Sequence, residues 1–439
     1  MSRPMMPNAY VPGADLPADD AALIARRDRL LGPAYRLFYA EPLHIVQGEG
    51  VWLHDRDGRT YLDAYNNVAS VGHCHPRVTA ALAAQAGTLA THTRYLHDAI
   101  LDYAERLLAH FPPDLSHVMF TCTGSEANDL ALRIARVATS GTGVIVTDNA
   151  YHGTTLATAE MSMSAGRATA PGPSVFPIPA PTKENYPHDI ATGFAAAVAA
   201  ACDRMEAAGQ KPCGLIVDTI FSSDGVYPDP AGFLGPAAAA IRARGGLFIA
   251  DEVQPGFGRT GAEMWGFARH ALVPDMVSLG KPMGNGYPMA GLVVRPEILT
   301  AFAAHSRYFN TFAGNAVAAA VGMAVLDVIR EEGLIQNAAR AGAALADGLR
   351  SLSGRHPALG ETRAAGLFLG TDILTDGQPD AALAGRIVNN LRRAGVLIST
   401  AGPLGNILKI RPPLPFSLAN ADQLLTTLDR VLTQSLTKA

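Results

Sequence analysis

From about residue 76 onward, short apolar runs alternate with alanine-rich segments of helical length, and this alternation constrains the fold more than any other feature of the chain. The apolar runs are Val118–Phe120, Val144–Val146, Leu215–Val217, Leu247–Ala250, Met276–Leu279 and Leu292–Val294. The segments Pro76–Leu89 and Gly193–Ala208 are examples of the predicted helices. Strands that alternate with helices are typical of βαβ units, so the sequence predicts a large, doubly wound α/β domain on a mostly parallel sheet.

After about residue 330 the pattern changes and predicts a smaller α+β domain. We expect a long helix over Glu331–Leu352, a strand around Gly366–Thr371 and a second helix over Ala381–Ala394, followed by two short strands. The large domain is therefore placed at residues 76–328 and the small domain at residues 329–439.

The first 75 residues are expected to pack with the small domain. Residues 1 to about 20 are rich in proline, alanine and aspartate and predict a loose arm, and Leu23–Leu31 predicts a short helix. Within Gly48–Leu62, two strand-like runs flank an Asp-Gly pair, which is typical of a β-hairpin.

Composition and charge exclude several classes of function. Of the 439 residues, 48% are apolar and 17% are charged, which indicates a compact globular protein, and a net charge of −4 offers no basic surface to nucleic acid or lipid. The N-terminus lacks the apolar core of a signal peptide, and the apolar stretch Ala313–Ile329 is too short and polar to span a bilayer and predicts a buried helix. Four scattered cysteines lack metal-binding spacing. We expect a cytoplasmic protein with no metal site.

The segment Thr121–Asn128 (TCTGSEAN) follows a predicted strand and opens a predicted helix. Gly124 lets a ligand approach the backbone, and Ser125 adds a hydroxyl at the helix N-terminus, where free N–H groups favour an anion such as phosphate. The same residues also fit an ordinary capping box, and the sequence alone leaves both interpretations open. Neither a GxxxxGK(S/T) loop nor a GxGxxG between strand and helix is present, which disfavours nucleotide binding.

Asp251 and Glu252 stand at the end of the apolar run Leu247–Ala250. A carboxylate at such a place costs free energy unless it is paired. The cationic nitrogen of an aromatic ring would be a suitable partner, because the ion pair keeps the ring protonated as an electron sink. Taken alone, Asp251 fits a metal ligand or a helix cap equally well, although no cluster at ligand spacing supports a metal.

Lys281 stands at the end of the apolar run Met276–Leu279, directly before a proline and among three glycines. A lysine in an apolar, glycine-lined site has a lowered pKa because desolvation disfavours its charge, and it becomes a nucleophilic amine. Most lysines are solvated surface charges, but this position raises the chance of a catalytic role.

Together these three segments resemble the class III (ω-type) aminotransferase family, whose members have fold type I and use pyridoxal 5′-phosphate (PLP). The resemblance extends over roughly residues 35 to 435. By this resemblance, Lys281 matches the Schiff-base lysine, Asp251 matches the acid that pairs with the pyridine nitrogen, and Gln254 matches the glutamine near the ring hydroxyl.

The resemblance assigns further cofactor contacts. Gly124 and Ser125 match the phosphate cup, and Tyr151 matches the aromatic side chain that stacks on the ring. Thr311 matches the hydroxyl that reaches the cofactor phosphate of the neighbouring subunit. Active sites of this family lie at a dimer interface, so a homodimer is implied, and the sequence leaves open whether dimers pair into tetramers.

The resemblance implies a transaminase that moves an amino group from an amine or amino acid to a keto acid through the Lys281 Schiff base. Two stretches, Tyr65–Pro76 and Gly402–Pro413, look like the ethanolamine-phosphate phospho-lyase branch, which eliminates phosphate and ammonia from a phosphorylated amino alcohol. Asp218 stands where these phospho-lyases and many transaminases have glutamate, and Thr219 replaces the proline of many transaminases. Because of this departure we place transamination first and the phospho-lyase second.

Lys409 and Arg411 are two residues apart on the predicted strand Ile407–Arg411 and should point to the same face. Two cations there would suit a carboxylate or a phosphate of the substrate, although solvated strand residues fit the pattern as well. The family's carboxylate-binding arginine corresponds to Lys409. A catalytically silent scaffold with this fold is disfavoured, because every cofactor position carries a competent residue.

Overall fold

The computed structural model describes residues 7–13, 16–166 and 171–436. Within these residues the strands are β1 (Ile45–Glu49), β2 (Trp52–Asp55), β3 (Thr60–Asp63), β4 (His117–Thr121), β5 (Gly143–Thr147), β6 (Val175–Ile178), β7 (Pro212–Asp218), β8 (Leu247–Asp251), β9 (Met276–Leu279), β10 (Ala290–Val294), β11 (Leu359–Ala365), β12 (Phe368–Thr375), β13 (Gln378–Pro379), β14 (Val396–Leu397), β15 (Ser399–Ala401) and β16 (Ile407–Ile410).

The α-helices of the same residues are α1 (Ala18–Leu31), α2 (Pro76–Ala86), α3 (Asp98–Leu108), α4 (Gly124–Thr139), α5 (Leu156–Glu160), α6 (Ile190–Ala207), α7 (Leu234–Ala243), α8 (Pro296–Ala303), α9 (Ala316–Glu331), α10 (Leu334–Ser353), α11 (Ala381–Arg393) and α12 (Leu418–Leu436). None of them is long and apolar enough to cross a membrane.

A central seven-stranded sheet has the order β4-β10-β9-β8-β7-β5-β6. All neighbouring strands from β9 to β6 run parallel, and β10 alone runs antiparallel to its neighbours β4 and β9. The six predicted apolar runs all lie in this sheet, which confirms the α/β prediction. The sequence analysis missed β6, because Pro177 interrupts its short run; as an edge strand, β6 tolerates a residue that cannot donate to the ladder.

The sheet is buried on both faces. Alternate residues of β5 belong to different hydrophobic clusters: Ile145 packs in the cluster that contains α6 and α7, whereas Val144 and Val146 pack in the cluster that contains α4 and α8. A strand covered on both sides by helices is typical of a doubly wound sheet. The carboxyl ends of β5, β7, β8 and β9 therefore meet at one open edge of the sheet, where ligands bind in such folds.

The C-terminal part of the chain builds a second sheet in the order β11-β12-β16-β15, with β13 paired to β12. The predicted long helix is α10, and it begins three residues later than expected. The predicted buried helix is α9, and its apolar face is fully enclosed. Because α9 spans Ala316–Glu331 and packs against α2, α3 and α10, the predicted boundary at residues 328 and 329 falls inside a helix. The division into domains stays a prediction.

The N-terminal segment confirms the hairpin, as β2 and β3 pair antiparallel around the Asp-Gly turn. The predicted short helix is longer and begins at Ala18. The loose arm is wrong for the residues around Asn8, whose side chain is fully buried and whose carbonyl accepts a hydrogen bond from the N–H of Tyr39 at 2.6 Å. Residues 1–6, 14 and 15 of that predicted arm lie outside the described residues. Strand β14 pairs parallel to β3 and connects this segment to the C-terminal part.

Candidate active site

A cavity opens at the carboxyl edge of the central sheet. It is lined by Gly124, Ser125, Asn128, Tyr151, His152, Gly153, Asp218, Asp251, Val253, Gln254 and Lys281. Six of the cofactor residues expected from the sequence are among them. Thr311, Lys409 and Arg411 are not. The sheet brings these distant residues together because its parallel strands end side by side.

The N-terminus of α4 has the features of both interpretations that the sequence left open. Thr123 and Glu126 form a capping box: the Thr123 hydroxyl accepts from the N–H of Glu126 at 3.1 Å, and the Glu126 carboxylate accepts from the N–H of Thr123 at 3.0 Å. The box does not use the N–H groups of Gly124 and Ser125, which the helix cannot satisfy internally. A Cβ at Gly124 would lie 2.9 Å from a methyl group of Val253, so this close packing requires glycine. The cap is therefore compatible with the anion site that the sequence predicts.

Asp251 ends β8 and is 4% exposed. Its Oδ2 accepts hydrogen bonds from Nδ1 of His152 at 2.7 Å and from Nδ2 of Asn128 at 2.8 Å, and its Oδ1 accepts from the N–H of Val253 at 3.1 Å. An ionised carboxylate only accepts, so Nδ1 of His152 carries a proton in this pair. Three donors hold the buried carboxylate in one orientation and leave it capacity to accept one more.

The sequence analysis missed His152 and Asn128, which are both buried polar residues. In the sequence, His152 directly follows Tyr151 and Asn128 lies three residues after Ser125, and this proximity to residues with assigned roles is the signal that could have identified them. Nε2 of His152 is buried and has no hydrogen-bond partner among the described residues. This orphaned group indicates that the cavity is built for a polar ligand.

Lys281 follows β9 and begins a short 3-10 helix, Lys281–Gly284. Burial and the positive charge of Arg411 hold the pKa of Lys281 below its ordinary value, while Asp251 and Asp218 act in the opposite direction. A lower pKa raises the fraction of neutral, nucleophilic amine at neutral pH. The environment predicted for Lys281 is therefore present.

Lys409 and Arg411 reach this site from the other part of the chain. Arg411 is 7% exposed; its Nε donates to the carbonyl of Tyr65 at 2.9 Å, its Nη1 donates to Oε1 of Gln254, and its guanidinium carbon lies 4.6 Å from the centre of the Tyr65 ring. Lys409 is half-buried, and burial together with Arg411 and Lys281 lowers its pKa to about 7. Neither is a solvated strand residue, and in the described part of the chain neither has a carboxylate within ion-pair distance.

Asp218 ends β7, where its carboxylate accepts from the N–H groups of Ile220 at 3.0 Å and Ser222 at 3.1 Å, and from the Ser222 hydroxyl. Burial raises its pKa, the Ser222 hydroxyl acts against this rise, and Asp251 adds to it. Thr219, which replaces a proline of the family pattern, donates to the buried Glu252 at 2.8 Å. Burial raises the pKa of Glu252 to about 7, so the threonine hydroxyl stabilises a carboxylate that the fold encloses.

The two remaining predicted contacts differ in their exposure. Tyr151 lines the cavity with 38% of its surface exposed, and burial of the remainder raises its pKa. Thr311 is exposed in the segment between α8 and α9, away from the cavity of its own chain. Its expected ligand belongs to a neighbouring subunit, so a single chain does not test that role.

The groups around the cavity fit PLP. The N–H groups at the start of α4 would hold the phosphate, Asp251 would pair with the pyridine nitrogen, and Lys281 would supply the amine that carries the cofactor. The buried Nε2 of His152, which has no partner among the described residues, is a feature that a ligand-free core does not require. Among the described residues, no group of three or more His, Cys, Asp or Glu side chains could hold a metal ion.

The chain is similar to known aminotransferases and phospho-lyases over nearly its whole length. A sequence model of the family described as Aminotransferase class-III matches residues 38–432. An alanine–glyoxylate aminotransferase 2-like protein of Drosophila melanogaster is 40% identical and covers 93% of this chain and 86% of its own length. The ethanolamine-phosphate phospho-lyase homolog 1 of Caenorhabditis elegans is 35% identical, with coverage of 94% and 93%. A phospholyase from Arthrobacter, solved in complex with phosphoethanolamine, is 42% identical with a TM-score of 0.91, and the match covers 94% of this chain and 99% of that chain.

Borohydride reduction of the holoprotein should attach PLP permanently to Lys281, because the desolvated amine is the nucleophile of the cavity. Peptide mapping by mass spectrometry checks this. Lys281→Ala should keep its fold and lose both the adduct and turnover, whereas Lys211→Ala, which removes an exposed lysine, should keep both. An adduct on another lysine would refute the assignment.

Asp251→Asn should leave PLP bound but slow turnover by roughly 10- to 100-fold, since a charge-assisted hydrogen bond contributes about 1.5–3 kcal/mol. The measurements are kcat and cofactor occupancy by absorbance. Asp229→Asn provides the matched control, because Asp229 is an exposed aspartate paired with Arg269. Wild-type kcat in Asp251→Asn would contradict the proposed role.

Proposed function

Because the chain belongs to the class-III aminotransferase family and its members use PLP, we propose that it is a phospho-lyase that eliminates phosphate from a phosphorylated amino alcohol such as phosphoethanolamine. The observation that carries this proposal is the pair of cations formed by the half-buried Lys409 and the buried Arg411, which have no carboxylate within ion-pair distance in the described part of the chain. This order reverses the one that the sequence alone favoured.

The charge of the pocket suits phosphate better than carboxylate. A phosphate monoester carries roughly −1.5 to −2 charges at neutral pH, whereas a carboxylate carries one. Lys409, with a pKa of about 7, is only partly charged beside Arg411 and Lys281. A bound dianion would favour its protonated form, so the two cations together would neutralise the phosphate. The similarity to a phospholyase that binds phosphoethanolamine supports the same substrate class.

The residues of this chain would divide the work as follows. Lys281, as a neutral amine, would remove the proton from the carbon that bears the amino group. Lys409 and Arg411 would hold the phosphate and stabilise its growing charge as the carbon–oxygen bond breaks. Asp251 would keep the pyridine nitrogen protonated, and bound PLP supplies the electron sink for the carbon that loses its proton. With phosphoethanolamine and one water, the products are acetaldehyde, ammonia and phosphate.

Transamination is the second candidate, favoured by the 40% identity to an alanine–glyoxylate aminotransferase 2-like protein. The same cofactor residues would serve it. The substrate would then be an amino acid or an amine whose carboxylate binds to Lys409 and Arg411. In this reaction Lys281 would deliver the proton that it removed to a carbon of the cofactor, whereas in the lyase reaction a phosphate group would leave. Both candidates use small-molecule amines, and only transamination requires a keto acid.

We further propose a homodimer. Thr311 adjoins exposed apolar side chains, including Phe309 at 40% and Phe312 at 73% exposure, and the neighbouring surface carries Tyr95 and the fully exposed Leu96. Large apolar side chains gathered on one surface are typical of a protein interface. The predicted cytoplasmic location also stays a proposal.

The purified holoprotein should release inorganic phosphate and ammonia from phosphoethanolamine without any keto acid. Arg411→Ala should raise the KM for this substrate by roughly tenfold or more, because one hydrogen-bonded charge pair is lost. Arg340→Ala, which removes an exposed arginine, is the matched control and should leave KM unchanged. Turnover that requires pyruvate or another keto acid and releases no phosphate would favour transamination.

The protein should sediment as a dimer or larger at micromolar concentration, and Thr311→Ala should weaken PLP retention during dialysis, since a hydroxyl to the partner's cofactor is lost. Analytical ultracentrifugation and cofactor absorbance measure the two effects. Thr300→Ala serves as the control, because it removes another exposed threonine hydroxyl, in the nearby helix α8. A fully active monomer would contradict the shared site.

A further inference from the structure

Three consecutive hydrogen bonds connect Arg411 to Asp218, and the proposed reaction does not use them. Nη1 of Arg411 donates to Oε1 of Gln254, Nε2 of Gln254 donates to the hydroxyl of Ser222 at 2.7 Å, and that hydroxyl donates to Oδ2 of Asp218. We name this chain of four side chains the Arg411–Asp218 relay.

The hydrogen bonds of the relay all run in one direction, from Arg411 towards Asp218. Arginine has only donors and an ionised carboxylate has only acceptors, so the groups between them can adopt one arrangement. The Ser222 hydroxyl must accept from Gln254, and the amide oxygen of Gln254 must face Arg411. Two backbone N–H groups also donate to the carboxylate of Asp218 and favour its ionised form. The relay therefore links the carboxyl group of Asp218 to the guanidinium of Arg411 through two neutral groups.

Among the described residues, the side chain of Ser222 hydrogen-bonds only to its two neighbours in the relay. Its side chain is fully buried and contacts neither Lys281 nor the start of α4 through any hydrogen bond in the described residues. Gln254, by contrast, also lines the cofactor cavity and accepts from Nδ2 of Asn67 at 3.4 Å. Without the Ser222 hydroxyl, the amide N–H of Gln254 would lose the one acceptor that it has among the described residues, and Asp218 would lose its side-chain donor there.

We propose that Ser222 is a positioning residue for the anion pocket: it holds Gln254 between Asp218 and Arg411, so that Gln254 orients Arg411 and keeps it apart from Asp218, available to a substrate phosphate. This inference rests on the proposed phospho-lyase function. Loss of the hydroxyl would free Gln254 to turn away, and Arg411 would then lose its orientation or pair directly with Asp218. Either change weakens anion binding.

Sulfate tests the relay without turnover, because it remains a dianion from pH 5 to pH 9 and needs no chemistry from the cofactor. Isothermal titration calorimetry of the holoprotein measures its Kd for wild type, Ser222→Ala and Asp218→Asn. Both variants should bind sulfate roughly tenfold or more weakly, as expected when a hydrogen bond to a charged group is lost. Ser223→Ala is the matched control: it removes the neighbouring hydroxyl, keeps the backbone carbonyl that accepts from Asn149, and should bind as wild type does.

Steady-state kinetics separate positioning from a general structural defect. In Ser222→Ala the KM for phosphoethanolamine should rise more than kcat falls, while PLP absorbance and the thermal midpoint stay close to those of Ser223→Ala. Wild-type sulfate affinity in Ser222→Ala, or an equal loss in Ser223→Ala, would overturn the relay. If Ser222→Ala does not fold, the sulfate affinity of Asp218→Asn is the test instead. Wild-type affinity in Asp218→Asn would likewise contradict the relay. If the wild-type protein binds no sulfate, that result would contradict the anion pocket itself, and with it both the phospho-lyase function and the positioning role of Ser222.

Discussion

The carboxylate of Asp251 is buried at the end of β8, and its three hydrogen-bond donors come from three separate places: Asn128 on α4, His152 beyond β5, and the backbone of Val253. Burying a carboxylate without such donors would cost several kcal/mol of folding free energy. The sheet, the first turns of α4 and the loop after β5 must therefore be placed correctly relative to one another to stabilise this group. The same elements carry Gly124, Ser125 and Tyr151, which are the residues expected to contact the cofactor. The hydrogen bonds that stabilise this one buried charge therefore also fix the positions of those residues.

The charges around the cavity are balanced through hydrogen bonds more than through direct ion pairs. Burial raises the pKa of Asp224 and that of Glu252 to about 7, and hydroxyl and N–H donors from nearby loops stabilise both acids. On the opposite side, Lys409 and Arg411 have no carboxylate within ion-pair distance among the residues that the structure describes. Because no direct ion pair neutralises these two side chains there, they retain electrostatic attraction for an anionic ligand.

The site also joins distant parts of the chain. Strand β16 contributes Lys409 and positions Arg411, whose backbone N–H donates to the carbonyl of Ala64 and whose Nε donates to Tyr65. The proposed substrate pocket thus combines the N-terminal segment, the central sheet and the C-terminal sheet. Any movement of β16 relative to the central sheet would change the distance between the proposed anion pocket and Lys281, and would therefore affect the proposed reaction.

The sequence by itself predicted six of the seven strands of the central sheet and singled out Lys281, Asp251, Gly124 and Ser125, which the fold brings to one cavity, because apolar periodicity and the chemistry of strand ends are local properties. It did not reveal β6, the buried Asn8, the donors to Asp251 or the relay through Ser222. Those contacts join residues far apart, such as Asn128 with Asp251 at a separation of 123 residues and Gln254 with Arg411 at 157. Only the order of strands in the folded sheets brings such pairs together, and a local pattern does not contain that order. For the same reason, only the folded sheets bring Lys409 and Arg411 near the cavity with no carboxylate within ion-pair distance among the described residues, and the proposed preference for phosphate rests on that arrangement.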